Sequence, residues 1–164
     1  MNLKALSIAV IAAAAGLASA QGYKPVGVDV RIGSFLPTDS GTQGVGNSWL
    51  DLGLDFDVHR LSPDAHLAVS FDYTYREGYR SLPLLLNYVL RRGPAYAFAG
   101  AGGNFNIVPQ NDGSNFTRTT WAYDIGIGYD FLHNAGNPIF VEGRFYGNEE
   151  TNLDGFGVFL GIRM

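Results

Sequence analysis

Three histidines, His59, His66 and His133, are the side chains best suited to acid–base chemistry. Hydrolysis or acyl transfer would need one of them activated by a carboxylate and placed beside a serine nucleophile. All three lie in segments with the composition of turns, and no serine is spaced to pair with them. We therefore interpret them as polar turn residues and expect the protein not to be an enzyme.

Ligand-binding motifs are equally weak. The chain contains no cysteine, so disulfides and thiolate metal sites are excluded. Asp112 and the neighbours Glu149 and Glu150 supply too few oxygens, without the required spacing, for a divalent-ion site. The run Gly100–Gly103 has neither the closing glycine nor the following helix of a nucleotide-binding loop. We expect no cofactor and no metal.

Positive charge is carried mainly by arginine, because lysine occurs only at Lys4 and Lys24. The formal net charge is −4, whereas binding a phosphate backbone needs a basic surface, so we expect no nucleic-acid partner. The charged residues alternate with apolar ones. Asp51, Asp55 and Asp57, for example, alternate with leucine and phenylalanine. A period of two is the pattern of a β-strand with one apolar face.

Eight segments show this alternation, and each has about ten residues, the length of a tilted strand that crosses a membrane. They are 26–36, 49–58, 66–76, 81–90, 95–107, 119–132, 139–146 and 155–164. Turn-forming residues separate them, including a turn at His59–Ala65. The surface loops are expected near 37–48, 106–117 and 147–152. An even number of strands places both ends of an up-and-down barrel on one side.

The last segment indicates how the sheet is completed. Its apolar face consists of Phe156, Val158, Leu160, Ile162 and Met164. A strand at the end of a sheet leaves one edge without a partner, and pairing with the first strand would close the sheet into a barrel. We therefore predict an all-β fold, an eight-stranded antiparallel up-and-down β-barrel in a single domain, 21–164.

A soluble lipocalin-like barrel would show the same alternation, with its apolar residues inside. Two features favour the opposite arrangement. The apolar positions carry too many bulky side chains for the narrow interior of eight strands, whereas the other positions are mainly Gly, Ala, Ser, Asp and Arg. In addition, no Asp, Glu, Lys or Arg is assigned to the apolar face, as expected for a surface in contact with lipid. The barrel is therefore predicted to be transmembrane.

The charged residues on the other face are expected to point into the lumen. Carboxylates outnumber guanidinium groups there, which would suit either a cation-selective path or a proton-linked gate. A closed ion-pair network is the alternative that we favour, because the lumen is too narrow for a channel beside bulky arginine side chains. The predicted network comprises Asp29, Arg31, Asp51, Asp55, Asp72, Asp124, Asp130, Glu142, Arg144 and Arg163.

Aromatic residues gather near the ends of the predicted strands. Outer-membrane barrels carry aromatic girdles at both membrane interfaces. One girdle is predicted to contain Tyr73, Tyr75, Trp121 and Tyr123. The other is predicted to contain Tyr88, Tyr96, Tyr129 and Phe131.

The first residues have the order of a secretory signal peptide. Lys4 is followed by an apolar, alanine-rich stretch from Ala5 to Leu17 that is too short to span a bilayer as a helix. Ala18 and Ala20 then form a small-residue cleavage pattern. We expect residues 1–20 to be a cleavable signal peptide and Gln21 to begin the mature chain.

These features together resemble the small eight-stranded outer-membrane β-barrels, the OmpA/OmpX/OmpW-like group. The specific parts are the sequences GVDVRIG at 27–33, PLLLNY at 83–88, VEGRFY at 141–146 and the closing Gly-x-x-x-Gly-x-Arg pattern that ends at Arg163. The resemblance implies a monomer in the outer membrane of a Gram-negative-type bacterium. It also implies contact with outer-membrane lipid, periplasmic chaperones and the barrel-assembly machinery, which reads the C-terminal strand signal. Family members usually end in an aromatic residue, and this chain departs from them at Met164.

The expected function is a structural or surface-interaction role in the cell envelope. One alternative is a porin-like, narrow pore for cations or small solutes. A second alternative is a secreted soluble barrel that binds an apolar ligand.

Overall fold

The computed structural model describes residues 27–44, 46–109, 115–131, 137–149 and 153–164. The predicted signal peptide, its cleavage site at Ala18, Ala20 and Gln21, and His133 lie outside the described residues. One helical turn, α1 (Ser40–Gln43), follows the first of eight strands. Within the described part, no helix is long and apolar enough to span a membrane. The strands are β1 (Val28–Pro37), β2 (Trp49–Ser62), β3 (Ala65–Arg76), β4 (Tyr79–Arg92), β5 (Ala95–Pro109), β6 (Asn115–Phe131), β7 (Ile139–Asn148) and β8 (Gly155–Arg163).

Each strand pairs with its neighbour in sequence, and β1 pairs antiparallel with β8 to close the barrel. This seam runs from the pair Asp29 and Arg163 to the pair Pro37 and Gly155. Beyond it, the amide of Met164 donates to the carbonyl of Val28 at 2.9 Å. The predicted partner of the last strand is therefore confirmed, and no sheet edge is left open at the seam.

The barrel has two different ends. The terminal end holds the start of β1, the end of β8 and the short turns at Pro63–Asp64 and Gly93–Pro94. The loop end holds α1, the turn Glu77–Gly78, the ends of β1, β3, β5 and β7 and the starts of β2, β4, β6 and β8. Glu77 and Gly78 have φ angles of 47° and 92°. Two consecutive positive φ values are typical of a type I′ hairpin turn, whose twist matches that of the strands.

Two predicted loops are wrong because strands continue through them. The predicted turn His59–Ala65 is occupied by β2 up to Ser62, so that His59 lies in β2 and His66 in β3. Irregular pairing between Asp57 and His59, and again before Ser62, shifts the register there, and a bulge interrupts the alternation that sequence analysis depends on. Pairing of β5 with β6 likewise extends into the predicted loop 106–117, to Pro109 and Asn115.

The two faces of the barrel are assigned as predicted. The outer face is apolar and exposed, with Ile127 at 69% and Leu160 at 56% of full exposure. The apolar face of β8 points outward along its length, including Met164. Charged residues and most strand glycines point inward, because an eight-stranded interior leaves little volume for each side chain.

Tyr96 is an incorrect member of the predicted aromatic girdles. Its side chain is buried in the lumen, at 6% exposure, and its hydroxyl donates to Glu142 Oε2 at 3.0 Å. Alanine and glycine occupy both faces of β5, so alternation gave no basis for orienting this strand. The other girdle residues are on the outer face, at the two ends of the barrel: Tyr73, Tyr75, Trp121 and Tyr123, and Tyr88, Tyr129 and Phe131.

Candidate functional site

Two arginines occupy the centre of the lumen. Arg31 on β1 forms ion pairs with Asp55 and, at 2.5 Å, with Asp72. Its Nε atom also lies 3.9 Å from Glu142 Oε1. The guanidinium is completely buried. It is positioned by β1, whose alternation sends Arg31 inward between the outward-facing Val30 and Ile32.

Arg144 on β7, which β8 separates from β1, links the same carboxylates. Its nitrogens lie 2.8 Å from Glu142 Oε1, 2.9 Å from Asp124 Oδ2 and 3.4 Å from Asp72 Oδ2. Asp72 therefore bridges the two arginines. Charge-assisted hydrogen bonds of this kind are stronger than neutral ones, and the removal of one partner would leave buried charges without compensation.

A second group of ion pairs lies at the terminal end. Arg163 contacts Asp29 at 2.5 Å and Asp130 at 2.7 Å. Arg91, which sequence analysis did not include, also pairs with Asp130. Arg91 follows Asn87 on β4 by four residues, so the alternation of a strand predicts that both side chains point inward.

The predicted lumen residues thus form two ion-pair groups, with one exception. Asp51 accepts a hydrogen bond from Thr74 Oγ1 at 3.1 Å. Among the described residues, no arginine forms an ion pair with it. Its side chain is nevertheless completely buried.

Aromatic side chains, which the alternation of charged and apolar residues did not assign to the lumen, fill the rest of it. The loop-end cluster, on the loop side of the arginines, consists of Phe35, Trp49, Leu85, Ala122, Tyr146, Leu153 and Phe159. Phe35 contacts Trp49 and Tyr146 edge to face, with ring centroids 5.9 and 6.1 Å apart. The terminal-end cluster consists of Ala68, Val89, Tyr96, Phe98 and Phe140.

Glycines make room for these rings. A Cβ atom at Gly155 would collide with Phe35, one at Gly157 with Phe159 and one at Gly161 with Phe140. The glycines of β8 therefore accommodate lumen aromatics. The sequence indicated these inward rings only indirectly. Each ring is on the strand face that otherwise carries small residues, and it is paired with a glycine of the neighbouring strand.

Little empty space remains around the arginines. One cavity of about 20 Å³ lies toward the loop end and is lined in part by Trp49, Thr74 and Tyr146. Another of about 20 Å³ lies toward the terminal end and is lined in part by Asn87 and Arg163. Each is large enough for about one water molecule. In the part of the chain that the structure describes, no group of three or more His, Asp or Glu side chains could hold a metal ion.

His66 is a histidine that contacts a carboxylate, as acid–base catalysis would require. Its Nε2 atom lies 3.0 Å from Asp57 Oδ1 at the terminal end. On the same strand, Ser70 Oγ accepts a hydrogen bond of 2.6 Å from Asn87 Nδ2. The alternation of β2 placed Asp57 on the lumen face, but the sequence gave no indication of its pairing with His66, because the register of β2 and β3 shifts directly after Asp57.

An antiparallel eight-stranded barrel with an apolar outer face and a filled polar lumen defines the fold class. No protein-family model matches the chain, and no curated protein matches it in sequence. Solved structures do match. Neisserial surface protein A (NspA) aligns with a TM-score of 0.63 at 12% identity, over 84% of this chain and 95% of that one.

Two further structures agree. Ail, the attachment invasion locus protein of Yersinia pestis, gives a TM-score of 0.59 at 14% identity, over 84% of this chain and 95% of its own. The N-terminal β-barrel domain of Pseudomonas aeruginosa OprF gives 0.53 at 13% identity, over 84% and 97%. The chain has the fold of the small eight-stranded outer-membrane β-barrels, as the sequence resemblance implied.

Proposed function

We propose that this protein is an outer-membrane barrel with a closed lumen and a structural or surface-interaction role. The terminal end faces the periplasm, and the loop end faces the exterior. The proposal includes a monomer that is surrounded by outer-membrane lipid and is delivered by periplasmic chaperones to the barrel-assembly machinery.

The filling of the lumen is the observation that carries this proposal. Buried arginines, their carboxylate partners and two aromatic clusters occupy successive layers along the barrel axis. Arg144 stacks on Phe98 with its guanidinium carbon 4.4 Å from the ring centroid, so the layers are in direct contact. Conduction needs binding sites weak enough for an ion to leave, and fixed ion pairs between packed rings do not supply them.

The loop end offers the surface for interaction. Beyond the apolar band, the start of β6 is exposed from Asn115 to Thr119, and Phe116 is 49% exposed. The helical turn α1 and the residues near Asn47 add a polar surface at the same end of the barrel. A role for these segments in contact with other molecules is consistent with their position outside the packed barrel.

A non-catalytic role is part of the proposal. His66 and Asp57 form a pair, but catalysis by such a pair needs an adjacent nucleophile. Ser70, two strand repeats away from His66 on β3, is engaged by Asn87. The pair is better suited to holding β2 and β3 together across the irregular pairing that follows Asp57.

Planar-bilayer recording tests the closed lumen. Purified protein whose folded band shifts on heating in gel electrophoresis should insert without producing unitary conductance steps. The heat-shifted band is the control, because it shows that the protein is folded. An absence of conductance steps then does not result from unfolded protein. Reproducible cation-selective steps would instead establish the narrow pore, which the excess of lumen carboxylates favours.

Membrane fractionation tests the location. The folded protein should remain with the outer-membrane fraction after a carbonate or high-salt wash. Recovery of the folded barrel in the soluble fraction would support the secreted apolar-ligand carrier.

A further inference from the structure

The outer face of β5 forms the floor of a groove on the surface of the barrel. Its outward positions carry only small side chains over most of their length: Ala95, Ala97, Ala99 and Ala101. The neighbouring strands carry larger ones. Ala97, for example, lies between Leu90 on β4 and Ile127 on β6, and both of these neighbours are at least half exposed. Small side chains alone do not identify an occupant, which has to be inferred from the end of the groove.

At the terminal end, this β5 groove widens into an open cavity of about 470 Å³. Pockets that hold small ligands are typically of about 300–1,000 Å³. Leu90, Ala95 and Ala97 form the apolar part of its wall, and the charged residues Asp64 and Arg92 also line it. The cavity therefore combines an apolar surface with charges of both signs.

These two charges are available to a ligand. Arg92 is exposed at the end of β4, and Asp64 is exposed in the turn between β2 and β3. In the part of the chain that the structure describes, neither side chain forms an ion pair. Arg91, which also lines the cavity, is instead paired with Asp130 in the lumen. The cavity thus offers one unpaired cation and one unpaired anion.

The cavity lies close to the height of the aromatic girdle at the terminal end. Arg92 pairs with Ala95, and Ala95 pairs in turn with the girdle residue Tyr129. Aromatic girdles mark the interface between lipid hydrocarbon and headgroups. The charged part of the cavity is therefore level with headgroups, and the alanine floor leads from it toward the hydrocarbon.

We propose that the β5 groove binds one glycerophospholipid whose headgroup carries a phosphate and a primary amine. Arg92 donates to the phosphate, to which guanidinium groups form strong hydrogen bonds, and Asp64 accepts from the ammonium group. An acyl chain lies over Ala97 and the outward alanines that follow, where larger side chains would exclude it. The inference rests on the proposed function, in which the terminal end meets the periplasmic leaflet.

Such a site selects a lipid rather than stabilising the barrel. In a bilayer, another lipid covers the groove when the preferred one is absent. The loss of Arg92 or Asp64 should therefore change which lipid is bound and leave the unfolding midpoint nearly the same, because exposed ion pairs contribute little to stability.

Native mass spectrometry of the purified barrel in detergent measures the bound lipid. The probes are dioleoyl phosphatidylethanolamine, phosphatidylcholine, phosphatidylglycerol and diacylglycerol at equal mole fraction. Phosphatidylcholine has no N–H to donate to a carboxylate, phosphatidylglycerol has no amine, and diacylglycerol has no phosphate. We expect a one-to-one complex with phosphatidylethanolamine, bound about fivefold more tightly than either of the other phospholipids, and we expect diacylglycerol to bind least.

Substitutions at exposed positions assign the complex to the groove. Arg92→Gln should weaken the binding of all three phospholipids about fivefold, and Asp64→Asn should remove the preference for phosphatidylethanolamine. Ala97→Phe should fill the groove and prevent the complex without a change in charge. Arg80→Gln is the matched control, because it removes an exposed arginine at the opposite end of β4 and should retain full binding.

Three results would overturn the proposal. Equal binding of all four lipids would show that the groove is covered without selection. A preference that persists in both Arg92→Gln and Ala97→Phe would place the lipid at another part of the surface. A dimer that Ala97→Phe disrupts, without any lipid preference, would identify a second copy of the chain as the occupant. Each result is obtained on protein with a heat-shifted band, so the outer-membrane location is tested separately by fractionation.

Discussion

At the scale of single residues, Arg144 links more of the lumen than any other side chain described above. It contacts Glu142, Asp124 and Asp72, and it stacks on Phe98. Its neighbour Arg31 contacts two of the same carboxylates, Asp72 and Glu142. The network is therefore a single electrostatic unit, in which the loss of one member affects carboxylates on several strands.

Replacement of Arg144 by leucine tests this dependence. Arg144→Leu should destabilise the barrel by about 3–5 kcal/mol, because it removes the arginine that contacts the buried Asp124 and leaves Asp72 and Glu142 with one arginine, Arg31, instead of two. The measurement is the unfolding midpoint in urea with lipid vesicles, followed by tryptophan fluorescence and by the heat-shifted band.

The matched control is Arg92→Leu, which removes an exposed arginine at the terminal end. It should leave the midpoint nearly unchanged, because exposed ion pairs contribute little. Equal heat resistance of Arg144→Leu and the unmodified protein would show that the network is not required for stability.

The glycines of the lumen make a second prediction at this scale. A Cβ atom at Gly161 would collide with the ring of Phe140, which is completely buried and has no room to move. Gly161→Ala should therefore cost about 1–3 kcal/mol through overpacking.

Gly143 provides the comparison on the outer face. A Cβ atom at Gly143 would meet nothing within 4 Å, so Gly143→Ala should change stability by less than about 0.5 kcal/mol. The two alanine variants, measured by the same urea titration, separate lumen packing from the intrinsic preferences of glycine. Similar costs for both would contradict the close fit of Phe140.

At the scale of strands, the sequence predicted most of the barrel because alternation is a local property. Strand β6, for example, alternates from Trp121 to Phe131 without interruption, and its faces are those predicted. Prediction failed where alternation is interrupted or absent. Bulges in β2 hid its extension to Ser62, and the small residues of β5 left the orientation of Tyr96 undetermined.

The lumen site was predictable only in part, for a related reason. Alternation along each strand indicates which charged side chains point inward, and it assigned Arg31, Asp72 and Arg144 to the lumen. It gives no information on height along the axis, which depends on strand register and tilt. The separation into a central and a terminal ion-pair group, and the isolation of Asp51 from both, therefore required three-dimensional structure.

The testable prediction at the scale of strands concerns the end of the C-terminal strand. Met164 lies on the outer face, 59% exposed, and its backbone completes the seam with Val28. We expect Met164→Phe to increase the yield of folded barrel in the outer membrane, because an aromatic last residue suits the assembly signal that the family resemblance implies. The stability of the purified barrel should not change, since the backbone pairing is the same.

Yield and stability are measured separately for this variant. Pulse-labelled cells report the folded fraction as the heat-shifted band, and urea titration reports stability. Met164→Leu is the control, because it changes the side chain without adding a ring. Equal yields for all three proteins would show that assembly does not depend on an aromatic residue at this position.

At the scale of the whole molecule, the barrel has its buried ion pairs inside and an apolar outer face. Such an arrangement is stable only where the surroundings of the outer face are apolar as well. Rows of exposed side chains such as Ile125, Ile127 and Leu160, each more than half exposed, form a band between the aromatic residues of the two ends. The prediction of the barrel fold therefore includes the prediction that lipid surrounds its outer face.

A lysine substituted into the outer band tests directly whether lipid or water surrounds it. Ile127 is 69% exposed and lies near the middle of the band, two residues from the terminal-end aromatic Tyr129 and four from Tyr123 at the other end. In a bilayer, Ile127→Lys should destabilise the barrel by about 2–4 kcal/mol, because the charge must enter hydrocarbon. Leu61→Lys, beside the turn at the terminal end and 50% exposed, should cost less than about 1 kcal/mol at the interface. Both are measured by reversible unfolding from lipid vesicles. In a barrel surrounded by water, the two lysines would be equally harmless, so the difference between the two costs reports whether lipid covers the middle of the molecule.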